Sequence, residues 1–368
     1  MPSTPSIVFT GGGTGGHLFA GLAAAEAFRE LEPDATILFA GRGLPWERRE
    51  VGLAGYEYAS VPCCPWPGSA STGRTWRVGR FVAMNSAGFL SGRRLLRRHG
   101  ASVVVALGGY SSAPVGRAAV SLRVPLVLLE QNALPGRVTR WLSRKAACVC
   151  ASFEPQADLA AGNVQHTGNP IRRGFLWQDR KAGDRERLLV VTGGSLGAGP
   201  LNSVVPAALA KVKPLVAGWR IVHQTGERDL AATRDRYREL DVAAEVVAFA
   251  DLASLFPRAG LAISRAGGST LSELALCGVP TIVCPYPQAS KDHQRKNAAA
   301  LGDACRVVEQ ELPDLAGRLA AELTTLLTDA ELRRSLSRRM LLRARPDAAA
   351  RVARTIQRVA IPVGTGTD

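Results

Sequence analysis

Between Tyr58 and Leu129 the chain has no Asp or Glu at all. Other absences each remove a class of protein. The seven cysteines (Cys63, Cys64, Cys148, Cys150, Cys277, Cys284 and Cys305) are odd in number and include no CxxC pair. Neither a disulfide framework nor a zinc site is therefore expected; buried reduced thiols are. No apolar run reaches the roughly 18 residues of a spanning helix. No basic stretch followed by an apolar one opens the sequence, so no leader is expected and a cytoplasmic protein is. No GK[ST] follows a glycine-rich turn, which removes a P-loop. No Asp-x-Asp occurs, so no metal clamp on a diphosphate is expected.

What is present describes a globular chain. It has 368 residues, 46% hydrophobic and 21% charged, a length that favours two domains over one core. The formal charge of +15 suits an anionic partner: nucleic acid, a membrane surface or phosphate-bearing substrates. No recognised nucleic-acid module occurs, which disfavours the first.

Short β-rich runs alternate with Ala/Leu/Arg-rich stretches. "SIVFT", "ATILFAG", "SVVVALG", "VPLVLLE" and "ACVCAS" read as buried strands of the first half; "RLLVVTGG", "WRIVHQTG", "AEVVAFA", "LAISRAG" and "PTIVCP" read likewise in the second. Continuous apolar runs bounded by Gly or Pro suit parallel strands covered on both faces, and the alternation implies α/β doubly wound sheets. "IVFTGGGTGG" is echoed by "LVVTGGSLGA". The expected organisation is a Rossmann-like domain over 1–165, a linker over 166–186, a second Rossmann-like domain over 187–340, and a C-terminal helix over 341–368 that packs back on the first domain before a tail. Two such halves facing one another leave a deep cleft at the C-terminal ends of their strands, where ligands of open sheets bind.

Gly11, Gly13 and Gly16 satisfy GxGxxG after the first strand. Such a turn lets backbone N–H groups and a helix N-terminus face an anion. The second strand ends in Gly41 and Arg42 rather than an acid, which disfavours NAD and leaves an NADP-dependent oxidoreductase, through Arg42, as an alternative. His17 falls in the first turn of the following helix. The positive helix end disfavours an imidazolium, so His17 reads as a neutral base, or else as a residue that caps or packs. "TGGSLGAGPLN" reads as a second anion cradle around Ser195, or as a glycine-rich turn without a ligand. In "SRAGGSTLSELALCGVPTIVCPYP" a helix is expected to start near Ser269 or Thr270. Glu273 then reads as a carboxylate for ribose hydroxyls, or as the acid of a capping box with Thr270. Gln294 and Asn297 suit sugar hydroxyls, or else belong to the start of a surface helix. Glu130 reads as a base, with Asn132 binding a hydroxyl, or both as ligands of loop amides.

The acid-free window carries Arg74, Arg77, Arg80, Arg93, Arg94, Arg97 and Arg98 among Trp66, Trp76, Phe81, Met84, Phe89, Leu90, Leu95 and Leu96. That mixture reads as a surface lying on anionic lipid, or as a core helix with a solvated basic face.

Taken in order, "GGGTGGH", "LGGYSSAPVGRAA", "EQNALPG", "GNPIR", "GGSLGA", "HQTG", "RAGGSTLSELALCGVPTIVCPYP" and "DHQRKNA" resemble the MurG family, the peripheral glycosyltransferases of bacterial peptidoglycan synthesis. Leu129, where many relatives have His, and Ala20, where Pro is common, depart from the pattern. The resemblance implies a GT-B fold and metal-independent, inverting transfer of N-acetylglucosamine from UDP-N-acetylglucosamine to undecaprenyl-diphospho-N-acetylmuramoyl-pentapeptide (lipid I), with no cofactor. A GT-B transferase with another acceptor is an alternative, as is a non-enzymatic nucleotide-sugar-binding protein. The resemblance further implies a peripheral protein on the cytoplasmic face of the membrane, with partners among cell-wall synthesis and division proteins.

By motif, Thr14, Gly15 and Gly16, with Gly108, Gly109 and Tyr110, are implied to meet the acceptor diphosphate, and the first three also the donor. His17 is implied as the base, with Glu130 as the fallback. Asn132, Arg172, Ser195, Phe249, Gly268, Ser269, Thr270, Leu271, Ser272, Glu273, Gln294 and Asn297 are implied as donor contacts.

Overall fold

The computed structural model describes residues 4–68, 74–154, 159, 163–176, 185–194, 197–287, 292–311 and 313–360. The chain forms two compact units, Met1–Arg172 with Asp347–Asp368, and Arg173–Pro346.

The first unit runs β1 (Ser6–Thr10), α1 (Gly15–Leu31), β2 (Thr36–Gly41), α2 (Pro45–Leu53), β3 (Glu57–Ser60), α3 (Arg74–Arg98), β4 (Val103–Ala106), α4 (Ala113–Leu122), β5 (Leu126–Glu130), α5 (Arg137–Ser143), β6 (Cys148–Ala151) and β7 (Val164–His166). Its seven-stranded sheet has the order β3-β2-β1-β4-β5-β6-β7, with every pairing parallel. The continuous apolar runs are explained by the pleat, which sends alternate residues to opposite faces. Ile7 and Phe9 of β1 join Leu18, Leu22 and Phe28 of α1 on one face. Val8, between them, joins Leu96, Val115 and Leu142 on the other. Phe9 and Phe39 stack at 5.0 Å between ring centroids.

The second unit runs β8 (Glu186–Thr192), α6 (Gly199–Lys211), β9 (Arg220–Gln224), α7 (Leu230–Glu239), β10 (Glu245–Val247), α8 (Leu252–Leu255), β11 (Ala259–Ser264), α9 (Gly268–Leu276), β12 (Thr281–Val283), α10 (His293–Leu301), β13 (Arg306–Val307), α11 (Leu315–Thr328) and α12 (Ala330–Arg343). Its six-stranded sheet, also parallel, has the order β10-β9-β8-β11-β12-β13.

Pro346 separates α12 from α13 (Ala348–Ala360), and α13 belongs to the first unit. Val352, Ala353 and Ile356 enter the same core as Leu22, Ala25 and Phe28 of α1. Full burial of a side chain such as Ile356 contributes about 1.5–3 kcal/mol. Gln357 Nε2 donates to Glu32 Oε1 at 2.6 Å, and Thr355 Oγ1 donates to Gln165 Oε1 at 3.1 Å. The stretch expected as a linker starts inside β7 with His166 and ends inside β8 with Glu186.

Each sheet has one switch point, where chain order reverses: between β1 and β4 in the first, between β8 and β11 in the second. The crevice outside the strand ends at such a point is where open α/β sheets bind ligands. The glycine-rich turns fall there in both units.

Candidate functional site

In the first unit the loop after β1 is forced into glycine conformations. Gly11, Gly12 and Gly13 have φ of 129°, 131° and 83°. A Cβ at Gly11 would sit 3.0 Å from Gly108 O, and one at Gly12 would sit 2.7 Å from Glu47 Oε1. The loop therefore lies directly against the β4 loop and against α2.

Glu47, which sequence reasoning did not single out, anchors this loop. It is fully buried. Its Oε1 accepts from Gly13 N at 2.7 Å; its Oε2 accepts from Leu44 N at 3.2 Å and from Tyr58 OH at 2.7 Å. Burial, and then the bond to Glu47, push the Tyr58 hydroxyl well above its usual range, so Tyr58 remains a donor. The available signal was local: Pro45 and Glu47 occupy the first and third positions of a helix, where a carboxylate reaches back to the N-cap amide.

The helix α1 opens at Gly15 with Thr14 as N-cap. Thr14 Oγ1 and His17 Nδ1 share a hydrogen bond of 2.6 Å, so His17 stands in the first turn as expected. A Cβ at Gly108 would meet His17 Nε2 at 3.3 Å and Gln131 Oε1 at 3.4 Å. Gln131 is only 4% exposed, yet among the described residues neither of its amide atoms has a hydrogen-bond partner. Sequence reasoning passed over it for its neighbours in Glu130-Gln131-Asn132. Buried polar groups are nearly always paired, so such an amide calls for a specific explanation.

Glu130 is engaged with its own loop. Its carboxylate accepts from Asn132 N at 3.0 Å, Asn132 Nδ2 at 3.2 Å and Gly136 N at 3.0 Å. Both oxygens hold the 131–136 loop, as the reading of Glu130 as a ligand of loop amides expects. Arg172 stacks its guanidinium 4.1 Å from the Phe19 ring centroid. Tyr110 accepts a hydrogen bond from Arg42 Nη1.

In the second unit Ser195 lies outside the described residues. Gly194, just before it, is held by a side chain. Gln224 Nε2 donates to Gly194 O at 3.2 Å, while its Oε1 accepts from Ala250 N at 3.1 Å. This tethers the glycine turn to the segment carrying Phe249, whose side chain is 64% exposed. Asn202 Nδ2 donates to Thr225 O at 3.0 Å. Asn202 Oδ1 and Tyr237 OH bond the two ring nitrogens of buried His223 at 3.1 and 3.0 Å. Burial lowers the His223 pKa to about 3.

α9 starts at Gly268, with Gly267 as N-cap, one to two residues earlier than expected. Thr270 is then the third helical residue and Glu273 the sixth, a full turn too late for a capping box. That reading of Glu273 is removed. The N–H groups of Gly268, Ser269 and Thr270 head the helix, where intrahelical partners are lacking. Ser272 Oγ donates to Gly268 O at 2.9 Å, and Leu271 is buried.

Gln294 and Asn297 both bond the turn before α9. Gln294 Oε1 accepts from Ala266 N at 3.2 Å and Tyr286 N at 2.8 Å. Asn297 is fully buried and donates to Ala266 O at 2.9 Å. The pair fixes the turn before α9.

On the acid-free window, α3 packs its Gly88, Gly92 and Leu96 side against the Pro114–Ala118 region. Trp66, Trp76, Val82 and Leu90 are 57%, 68%, 55% and 54% exposed, and Arg80 lies over the Trp76 ring. Among the described residues no helix is long and apolar enough to cross a membrane.

The glycosyltransferase family 28 N-terminal domain matches residues 7–151, and the family 28 C-terminal domain matches residues 188–352. The chain is 39% identical over 360 residues to the UDP-N-acetylglucosamine--N-acetylmuramyl-(pentapeptide) pyrophosphoryl-undecaprenol N-acetylglucosamine transferase of Alkalilimnicola ehrlichii, covering 95% of this chain and 98% of that one. The protein of the same name from Geobacter sulfurreducens is 37% identical over 316 residues, covering 83% and 86%. Among solved structures, MurG of Acinetobacter baumannii superposes with a TM-score of 0.74 at 27% identity, covering 96% of this chain and 99% of that one. A UDP-GlcNAc 2-epimerase from Neisseria meningitidis shares the fold, with a TM-score of 0.66 at 12% identity over 96% of this chain and 99% of that one. The oxidoreductase alternative falls with these matches, and Arg42 with its NADP role. The chain belongs to glycosyltransferase family 28, in the MurG family of N-acetylglucosamine transferases.

Proposed function

We propose that the chain transfers N-acetylglucosamine from UDP-N-acetylglucosamine to the 4-hydroxyl of the muramoyl sugar in undecaprenyl-diphospho-N-acetylmuramoyl-pentapeptide, inverting the anomeric carbon. The relatives' shared name supports the substrates. The structural observation that carries the reading is the pairing of a glycine-lined turn with a helix N-terminus at the switch point of each sheet. The reaction has two diphosphate substrates, and each unit offers one cradle.

The first unit takes the acceptor. Thr14, Gly15 and Gly16, with Gly108, Gly109 and Tyr110, meet its diphosphate. His17 Nε2 removes the proton of the attacking hydroxyl as the new C1–O bond forms and the bond from C1 to the UDP oxygen breaks. For this, His17 Nδ1–H donates to Thr14 Oγ1, which leaves the lone pair on Nε2. A positioned base of this kind contributes about 10²–10⁴ in rate.

The second unit takes the nucleotide. Glu273 accepts from the ribose hydroxyls, the backbone beside Phe249 meets uracil, and Ser195 with the N–H groups of 268–270 holds the diphosphate without a metal. Those donors stabilise the charge that grows on departing UDP. Asn132 and Arg172 are also assigned to the donor, while Gln294 and Asn297 act through the turn they fix. The exposed Trp and Arg side chains of α3 rest on anionic lipid at the cytoplasmic face, at about 1 kcal/mol per basic residue near the headgroups, where cell-wall synthesis and division proteins are the expected company.

The test is transfer of radiolabel from UDP-N-acetylglucosamine to a short-chain analogue of the lipid-linked acceptor. Acceptor-dependent labelled product is expected. UDP binding without any product would instead favour a nucleotide-sugar-binding protein. Co-sedimentation with vesicles should require anionic lipid and weaken with salt; indifference to lipid charge would remove the membrane assignment.

A further inference from the structure

We propose that Arg42 and Tyr110 form a clamp across the glycine loop of the first unit, closing on a phosphate of the acceptor's organic diphosphate. The inference rests on the transferase reading and adds a residue that neither motif nor fold assigns.

The topology makes the case. β2 and β4 flank β1 on either side. Arg42 is the first residue after β2, and Tyr110 lies in the loop after β4. The hydrogen bond from Arg42 Nη1 to Tyr110 OH therefore joins the two outer loops across the one that β1 feeds. The guanidinium carbon is 5.6 Å from the Tyr110 ring centroid. The same three loops touch at their bases. A Cβ at Gly41 would sit 2.9 Å from Gly11 O, one at Gly11 would sit 3.0 Å from Gly108 O, and one at Gly109 would sit 3.6 Å from Gly12 O. Arg42 thus arches over a floor of glycine backbone that leads into the N-terminus of α1.

The electrostatics select an anion. Arg42 is exposed, and no carboxylate pairs with it among the described residues. The nearby acid, Glu47, is buried and held by Gly13, Leu44 and Tyr58. Because the Tyr110 oxygen accepts from Arg42, its own hydroxyl proton is directed elsewhere. Burial raises the Tyr110 pKa, against the opposing pull of Arg42, so that proton stays in place. The pair consequently presents donors and positive charge together, the combination a phosphate oxygen takes up.

The test compares the wild type with Arg42→Gln, Arg42→Lys and Tyr110→Phe. In the transfer assay each substrate is varied in turn; separately, farnesyl diphosphate is titrated directly onto the protein without donor. Arg42→Gln should raise the acceptor KM about 10- to 100-fold, the loss of one charge-assisted contact, and leave the donor KM within about twofold. Arg42→Lys should fall between, keeping the charge but not the fork. Farnesyl diphosphate should bind the wild type and bind Arg42→Gln and Tyr110→Phe more weakly. An unchanged acceptor KM in Arg42→Gln, or an equal rise in the donor KM, overturns the clamp. If the wild type transfers nothing, the transferase reading fails, and the direct titration still judges the clamp: equal affinity in wild type and Arg42→Gln rejects it.

Discussion

Thr14 Oγ1 lies 2.6 Å from Nδ1 of His17, so the N-cap of α1 is also the group against which the proposed base is oriented. Thr14→Val keeps the shape and removes the acceptor. Its kcat should fall about tenfold or more, toward the lower end of what a base contributes, whereas Thr14→Ser should stay near wild type. Equal kcat for Thr14→Val and wild type would separate His17 from this contact.

Gln131 gives a prediction with opposite signs for stability and activity. Among the described residues its buried amide has no partner, and an unsatisfied buried polar group costs about 1–3 kcal/mol. Gln131→Leu should therefore raise the melting temperature of the protein while lowering acceptor-dependent turnover. A variant that is less stable and fully active would mean that the amide is structural.

Glu273 is tested by the ligand as much as by the variant. Glu273→Ala should weaken UDP binding about 10- to 100-fold in calorimetry, the range for hydrogen bonds to a charged group. A uridine diphosphate lacking both ribose hydroxyls should bind the wild type and the variant alike. A matching loss with that analogue would place Glu273 on the turn rather than the ribose. Asn297→Ala should also weaken UDP, by freeing the Ala266 turn.

His223 sets a pH dependence of stability. Its pKa falls from 6.5 to about 3 because burial disfavours the imidazolium. Between those values the unfolded chain binds the proton and the folded chain does not, so stability rises with pH. The contribution is fully present above pH 6.5 and is lost as pH falls toward 3, at up to about 1.4 kcal/mol per pH unit. Denaturant unfolding of His223→Gln across that window should show a shallower slope than wild type. Parallel slopes would show that His223 takes up its proton in the folded state.

Most of the architecture was legible because parallel strands buried on both faces leave continuous apolar runs. The strands that escaped were β3, β7 and β13, which are all edges; their residues are half-exposed or exposed and leave no such run. At the sites, glycine turns and helix starts could be read from spacing. The braces could not. Glu47 reaches Gly13 across 34 positions, and Asn297 reaches Ala266 across 31, distances that no local pattern encodes. Glu130 and Asn297 also hold backbone that spacing does not reveal, whereas Gln131, not singled out in the sequence, is an amide left without a partner among the described residues.

The most direct test of twin cradles with separate duties is a crystal structure with UDP bound. The ribose hydroxyls should lie within hydrogen-bond distance of Glu273, with the diphosphate against the N–H groups of residues 268–270. Uridine diphosphate seated instead on the Gly11–Gly16 loop would contradict the division of labour between the two units.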